Sequence, residues 1–169
     1  MTTGIALRPI RPGDHITVQK MFIEFNASEF GKYDHIDHTD EMHVISFLEN
    51  MMQNHVIYAV TQTGSDEMIG YICFHLAGDE YDIGYMISPQ HQGAGIATAA
   101  SKAAMKRLEN ERGSKIFTAT VAAENYPSVR VLEKLGFTII SENRVKKEVE
   151  GATFLVTERR YLKRISESI

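Results

Sequence analysis

The sequence is poor in the features that mark secreted and membrane proteins. It contains a single cysteine, Cys73, which cannot form a disulfide within the chain and is typical of a reducing compartment. No apolar run reaches the roughly 20 residues that a membrane-spanning helix needs. The first residues also lack the charged and apolar regions of a signal peptide. We therefore expect a cytoplasmic protein with no membrane partner, in which Cys73 is a small buried hydrophobe.

An excess of positive charge is missing as well. Eighteen Lys and Arg residues stand against 22 Asp and Glu, giving a net charge of −4. Proteins that bind nucleic acid nonspecifically are usually strongly basic, so we expect no nucleic acid partner. Repeats, low-complexity tracts and linkers are absent from the sequence, and 43% of the residues are hydrophobic. This composition predicts one globular domain over residues 1–169.

Hydrophobic periodicity predicts the order β-α-α-β-β-β-α-β-α-β-β, a mixed sheet with helices on its faces. Asp14 and Thr39 are the expected N-caps of the first two helices, and Gly136 is expected to end the last one. The expected strands cover residues 4–10, 55–62, 68–76, 80–87, 116–121, 137–145 and 153–163. The expected helices cover 14–26, a stretch after Thr39 through Met51, 95–111 and 125–135.

The most informative segment joins the strand that ends at Ile87 to the following helix. It contains Gly93 and Gly95, which lack a Cβ atom and let the backbone approach a ligand closely. The first turn of the helix after it has N–H groups without intrahelical partners and carries the positive end of the helix dipole. Together these features predict a site for phosphate groups.

Two common phosphate motifs do not fit this segment. A P-loop needs Gly-Lys-Ser/Thr at the helix start, whereas this chain has Gly95-Ile96-Ala97. A dinucleotide fingerprint needs a third glycine where Thr98 stands, and a βαβ unit around it. The remaining alternative to a phosphate site is a glycine loop that only turns the chain.

Two motifs carry a family resemblance. Gln92-x-x-Gly95-x-Ala97 resembles the acyl-CoA signature of the GNAT N-acetyltransferases. The run from Asn125 to Phe137 (Asn-Tyr-Pro-Ser-Val-Arg-Val-Leu-Glu-Lys-Leu-Gly-Phe) is similar to their second cofactor motif. The phrase Ile83-Gly-Tyr and residues 7–14 look most like the subgroup that includes ribosomal-protein-alanine acetyltransferases. The resemblance implies the α+β GNAT fold, in which about four helices flank a mostly antiparallel mixed sheet of about seven strands.

The resemblance also implies acetyl-CoA as co-substrate and no metal. Backbone N–H groups of the glycine loop would hold the pyrophosphate, and Asn125 would bond the pantetheine arm or serve as a plain N-cap. In relatives a bulge splays the preceding strand, and an N–H near Met86 or Ile87 would polarise the thioester carbonyl. The expected cofactor-binding residues are Met86, Ile87, Gln92, Gly93, Ala94, Gly95, Ile96, Ala97, Thr98, Asn125 and Ser128.

In this family an amine attacks the thioester directly, which requires a base for the ammonium. Glu80 and Asp82 share one strand face by their spacing, and Asp82 fills a position that is often acidic in relatives. Both could instead be solvated strand residues, and His75 is a weaker candidate. In many relatives a tyrosine that protonates the leaving thiolate stands seven residues after the motif asparagine, where this chain has Leu132. The nearest replacement is Ser128, followed by Tyr85 and Tyr126; a thiolate also leaves without an acid.

The acceptor is the least determined part of the hypothesis. We expect a primary amine, on either a protein N-terminus or a small molecule. A non-catalytic acyl-CoA-binding module and an enzyme for a longer acyl-CoA are the alternatives. The acidic, histidine-rich residues 34–43 fit a polar loop and helix start beside the acceptor better than a metal site, because their spacing matches no known site. The basic residues near 144–147 and 159–160 suggest a solvated hairpin, and with the last strand this hairpin could form a homodimer.

Overall fold

The computed structural model describes residues 4–166, which form one seven-stranded sheet and four α-helices. The strand order across the sheet is β1-β2-β3-β4-β5-β7-β6. The strands are β1 (Ile5–Arg8), β2 (Val56–Gln62), β3 (Met68–Ala77), β4 (Glu80–Ile87), β5 (Ile116–Ala122), β6 (Thr138–Val149) and β7 (Ala152–Arg164). The helices are α1 (Asp14–Ala27), α2 (Glu41–Asn54), α3 (Ile96–Arg112) and α4 (Tyr126–Lys134), and Pro89–His91 form a 3₁₀ turn.

Within the described chain, all neighbouring strands pair antiparallel except β4 and β5, which run parallel. This arrangement confirms the predicted element order and the mostly antiparallel mixed sheet. The parallel pairing is short, covering only Glu80↔Ile116 to Asp82↔Thr118. Both strands continue beyond it, β4 to Ile87 and β5 to Ala122. The two strands therefore diverge after Asp82 and open a gap in the middle of the sheet.

Two hydrophobic clusters lie on the two faces of the sheet. One contains apolar residues of α3 and α4 together with Ile83, Ile87 and the partly buried Tyr85. The other contains residues of α1 and α2, with Cys73 buried in it and Met86 packed against it. Because side chains alternate along a strand, Glu80 and Asp82 lie on the α1/α2 face together with Met86. No helix of the described part of the chain is long and apolar enough to cross a membrane.

Both predicted N-caps are wrong. Asp14 is the first residue of α1, and its carboxylate accepts the Arg11 N–H at 2.7 Å and binds the guanidinium of Arg8. The cap of α2 is Asp40 rather than Thr39, and its carboxylate accepts the N–H of His43 at 3.2 Å. A carboxylate is favoured there because it also meets the positive end of the helix dipole.

The last hairpin is longer than predicted. Strand β6 runs to Val149, and β7 begins at Ala152 after the expected turn at Glu150 and Gly151. Strand β6 forms one edge of the sheet and is exposed along most of its length, so its sequence lacks the alternation of a half-buried strand. The hydrophobic pattern therefore predicted an end near residue 145 for this strand, whereas β6 continues to Val149.

Candidate active site

The gap between β4 and β5 is the starting point of the candidate site. Among the described residues, β4 pairs with β3 along its whole length, from Ala77↔Glu80 to Gly70↔Ile87, without a register shift. The bulge expected in β4 is therefore not seen against β3, and the opening comes from the divergence of β5. From Ile83 to Ile87, one edge of β4 faces the gap without a strand partner. Such an edge can pair with an extended, amide-bearing molecule, and Met86 and Ile87 lie on it.

The glycine loop lies directly after this edge. Gly93 and Gly95 adopt positive φ angles of 79° and 75°, which glycine reaches without a steric penalty. Gly95 is the N-cap residue of the 17-residue helix α3, and the first turn of that helix carries no acidic side chain. The N–H groups of the first turn, contributed by Ile96, Ala97 and Thr98, are those that a helix leaves without intrahelical partners. The geometry of the predicted phosphate loop is present.

The side chain of Gln92 makes a contact that the sequence did not predict. Its side-chain Nε2 donates a hydrogen bond of 2.9 Å to the backbone oxygen of Ile87, at the end of β4. The loop residues from Gln92 to Gly95 are exposed, whereas Ile96 is buried in the core. Gln92 therefore ties the loop to the strand, and Ile96 fixes the start of α3 beneath it.

Asn125 lies at the N-cap position of α4, but its side chain does not cap the helix. The amide nitrogen Nδ2 donates instead to Oδ2 of Asp34 at 2.9 Å, and the residue is only 8% exposed. Asp34 also accepts the backbone N–H of Ala122 at 3.3 Å. Sequence reasoning missed this pair, since the two residues are 91 positions apart and Asp34 stood in the loop expected to border the acceptor.

The two candidate bases have different environments. Oδ1 of Asp82 accepts a hydrogen bond from the Thr118 hydroxyl at 2.9 Å. Burial raises the pKa of Asp82 above its ordinary value, although the hydrogen bond from Thr118 opposes the shift. Glu80 is paired with the guanidinium of Arg160 at 2.7 Å. Neither carboxylate is simply solvated. The raised pKa of Asp82 brings it closer to neutral pH, as a general base requires.

His75 lies opposite Asp82 in the β3–β4 register, and its ring centre is 5.0 Å from that of His55. Burial lowers the pKa of His75, and the nearby His55 adds to the shift. The ring of His75 is therefore neutral at pH 7. It attracts an ammonium group less strongly than the carboxyl group of Asp82 does.

Ser128 and Tyr85 form one hydroxyl pair. The two side-chain oxygens lie 2.8 Å apart, and the Tyr85 hydroxyl is also 2.7 Å from the backbone oxygen of Ser128. Burial raises the pKa of Tyr85, so its hydroxyl keeps its proton. Leu132, at the position of the usual tyrosine, is fully buried in the core. Tyr126 is 52% exposed and packs edge-on against Phe30.

Residues 34–40 form a loop and residues 41–43 begin α2, as predicted. His38, Asp40 and His43 come together at the start of α2, with their potential ligand atoms within 4.8 Å of one another. Asp40 is engaged as the helix cap and lies 2.6 Å from Nδ1 of His43. All three residues are exposed, and the positive end of a helix disfavours a cation. We therefore assign the cluster of His38, Asp40 and His43 to the cap of α2 rather than to a metal site.

Three of the basic residues of the last hairpin, Lys147, Arg159 and Arg160, are paired within the chain rather than freely solvated. Besides the bond of Arg160 to Glu80, Arg159 lies 3.5 Å from Glu142. Lys147 reaches the backbone oxygen of Tyr33 at 2.8 Å and lies 3.8 Å from Asp34. The contacts of Lys147 attach the hairpin to the segment between α1 and α2.

The fold and the cleft define an acyltransferase class of protein, and comparison with known proteins agrees. Residues 5–138 match the family model of the acetyltransferase (GNAT) domain. The sequence is 28% identical over 140 residues to the uncharacterized N-acetyltransferase YnaD of Bacillus subtilis strain 168, covering 72% of this chain and 81% of that protein. The chain belongs to the GNAT acetyltransferase family and is an N-acetyltransferase.

Solved structures show the same fold. A GNAT-family acetyltransferase from Bacillus anthracis is 26% identical, with a TM-score of 0.73 and 95% coverage of both chains. RimL, a ribosomal L7/L12 alpha-N-protein acetyltransferase in complex with coenzyme A, superposes with a TM-score of 0.79 at 16% identity. That match covers 97% of this chain and 96% of the RimL chain.

Proposed function

We propose that this N-acetyltransferase transfers the acetyl group of acetyl-CoA directly to a primary amine, within a ternary complex. The observation that carries the proposal is the placement of the glycine loop beside the free edge of β4, with the half-buried Asp82 at the vertex of the gap. The amine would belong to a protein N-terminus or to a small molecule. RimL, which has the same fold, is described as an α-N-protein acetyltransferase bound to coenzyme A.

The cofactor would lie along the loop and the gap. The pyrophosphate would accept hydrogen bonds from the N–H groups between Gln92 and Thr98, favoured by the positive end of α3. The amides of the pantetheine arm would pair with the free edge of β4 and with the side chain of Asn125. An N–H near Met86 or Ile87 would then face the thioester carbonyl and stabilise the oxyanion that forms there.

The reaction removes two protons from the nitrogen and places an electron pair on sulfur. Asp82, directly or through water, would take the first proton from the ammonium, after which the neutral amine attacks the carbonyl carbon. The new C–N bond forms as the C–S bond breaks, the electron pair leaves on sulfur, and the nitrogen gives its second proton to that sulfur or to water. The Ser128 hydroxyl would donate a hydrogen bond to this thiolate once the Tyr85 hydroxyl turns its hydrogen from the backbone oxygen of Ser128 to Oγ of Ser128, which lies 2.8 Å away. Glu80 is a weaker candidate because Arg160 already neutralises it.

An amine panel tests this function. The protein would be incubated with acetyl-CoA and with peptides bearing free N-termini, polyamines and amino sugars, while released CoA is measured. We expect turnover with at least one amine, and intersecting initial-rate lines when both substrates are varied. CoA binding without turnover of any amine would favour a non-catalytic binding module. Faster turnover of succinyl-CoA than of acetyl-CoA would assign a longer acyl donor.

A further inference from the structure

Asp34 connects three parts of the chain that meet at the cleft. It lies between α1 and α2, whereas its partners belong to the end of β5, the start of α4 and strand β6. Its carboxylate accepts hydrogen bonds from Nδ2 of Asn125 at 2.9 Å and from the N–H of Ala122 at 3.3 Å. Nζ of Lys147 lies 3.8 Å from Oδ1. All three neighbours are donors, and a carboxylate is the side chain that only accepts.

This contact determines which way the amide of Asn125 points. An asparagine amide can present either its oxygen or its nitrogen to a neighbour, and the choice follows from the partner. Facing an acceptor-only group, Asn125 must turn its nitrogen to Asp34. In the described part of the chain this is the one side-chain hydrogen bond that Asn125 makes. Its oxygen Oδ1 and the second hydrogen of Nδ2 are left for a ligand that offers both a donor and an acceptor.

We infer that Asp34 is a positioning residue, which fixes the amide of Asn125 in the orientation that binds the pantetheine arm. The inference rests on the proposed function, because it assumes that Asn125 contacts the cofactor. Each amide of the pantetheine arm presents one N–H and one C=O, which complements the oriented group. Asp34 touches neither substrate in this assignment and acts through Asn125.

The negative charge of Asp34 allows an orienting role to be distinguished from a purely electrostatic effect on coenzyme A binding. Coenzyme A is a polyanion, so a carboxylate near its site weakens its binding by repulsion. Replacing Asp34 by the neutral, similarly shaped Asn would therefore tighten binding if charge alone mattered. An orientation role predicts the opposite result. Asn offers one donor and one acceptor, so it places an N–H against at least one of the three donors and allows the Asn125 amide to turn over.

The experiment is a double-mutant cycle on the full chain, with the dissociation constant of coenzyme A measured by calorimetry. We expect Asp34→Asn to weaken binding roughly three- to tenfold, the value of one hydrogen bond of net 0.5–1.5 kcal/mol. In the Asn125→Ala background the same substitution should have no further effect. The KM for acetyl-CoA should rise while the KM for the amine stays unchanged. Asp37→Asn, an exposed carboxylate of the same segment, is the matched control.

Three results would overturn the inference. One is unchanged or tighter coenzyme A binding in Asp34→Asn while Asn125→Ala weakens it; this leaves the proposed function intact. Another is an equal loss in both backgrounds, which would show that Asp34 does not act through Asn125. The third is unchanged binding in Asn125→Ala, which removes Asn125 from the cofactor site itself. A thermal melt of each variant separates these outcomes from unfolding.

Discussion

Thr118 and Asp82 are the last paired residues of the parallel strands β4 and β5, and a hydrogen bond of 2.9 Å joins their side chains. This bond holds the carboxylate at the vertex of the cleft, with one oxygen engaged and the other left for a proton. Burial, the main cause, raises the pKa of Asp82. A group of this kind binds a proton more readily than an exposed aspartate does.

Asp82→Asn tests the assignment of the base. The amide keeps an oxygen for the Thr118 hydroxyl but cannot take up a proton, so we expect kcat to fall about 100-fold or more. In the wild type, kcat should fall as the pH drops through the raised pKa of Asp82. The variant should lack this acidic limb. The measurement is the pH profile of kcat between pH 5 and 9 with a saturating amine.

Thermal stability provides the control for Asp82→Asn, because it shows whether the variant is still folded. A carboxyl whose pKa is higher in the folded state stabilises the fold below its unfolded pKa, and this contribution is lost as the pH rises through the folded value. Above its raised pKa, Asp82 therefore adds no stability through its ionisation, and at such a pH Asp82→Asn should melt no lower than the wild type. Glu80→Gln, on the same strand face, should change kcat far less. A larger loss in Glu80→Gln would transfer the role of base to Glu80.

Gly95→Val tests the phosphate loop. At φ 75° a β-branched side chain is strained by at least 1–2 kcal/mol, so the N–H groups at the start of α3 would no longer face one point. We expect the variant to lose measurable binding of coenzyme A, followed by calorimetry. Gly78→Val, in the turn between β3 and β4, carries similar strain at φ 61° and should bind coenzyme A normally. Equal affinity for coenzyme A in the two variants would contradict the assignment of the glycine loop to phosphate binding.

Much of the site could be predicted from the sequence because its signals are local. Gly95 at the start of a helix and the alternation around Asp82 involve neighbouring residues, and backbone rules apply to them directly. The order of strands and helices followed from periodicity for the same reason. No role was predicted for the side chain of Gln92, because its bond to Ile87 depends on how the loop folds back.

The contacts that could not be predicted join distant parts of the chain. Asp34 meets Asn125 across 91 residues, and Tyr85 meets Ser128 across 43. Neither pair leaves a periodic pattern, since each depends on how α4 packs against the sheet. The length of β6 was missed for another reason: an exposed edge strand carries little hydrophobic signal.

Tyr85→Phe tests the hydroxyl pair. Removing the hydroxyl takes away the partner that holds Ser128, so we expect kcat to fall roughly three- to tenfold, the value of one hydrogen bond. Ser128→Ala should show a similar loss, and the double variant little more than either alone. Tyr126→Phe, altering an exposed tyrosine, should keep the wild-type rate. Additive losses in the steady-state rates would mean that the two hydroxyls act independently.

Asp14→Ala tests the ion pair that joins β1 to α1. The side chains of Arg8 and Asp14 are only 11% and 10% exposed, and two hydrogen bonds of 2.8 and 3.0 Å connect them. Removing Asp14 takes away the counter-charge of the guanidinium and leaves it only the backbone oxygens of Pro9 and Asp66 as acceptors, so we expect a loss of about 3 kcal/mol in the free energy of unfolding by urea at pH 7. Asp66→Ala, which breaks an exposed pair with Arg11, should cost less than about 1 kcal/mol.

The pH dependence of this pair follows from the pKa of Asp14. Burial alone would raise it, but the hydrogen bonds from Arg8 and the Arg11 N–H, with the charge of Arg8, lower it below the ordinary value. Stability from a carboxyl with a lowered pKa is present above the unfolded value and is lost as the pH falls through the folded value. The difference between the wild type and Asp14→Ala should therefore begin to shrink below about pH 4 and continue to shrink as the pH falls through the folded value. A constant difference across that range would show that Asp14 acts through packing rather than through its charge.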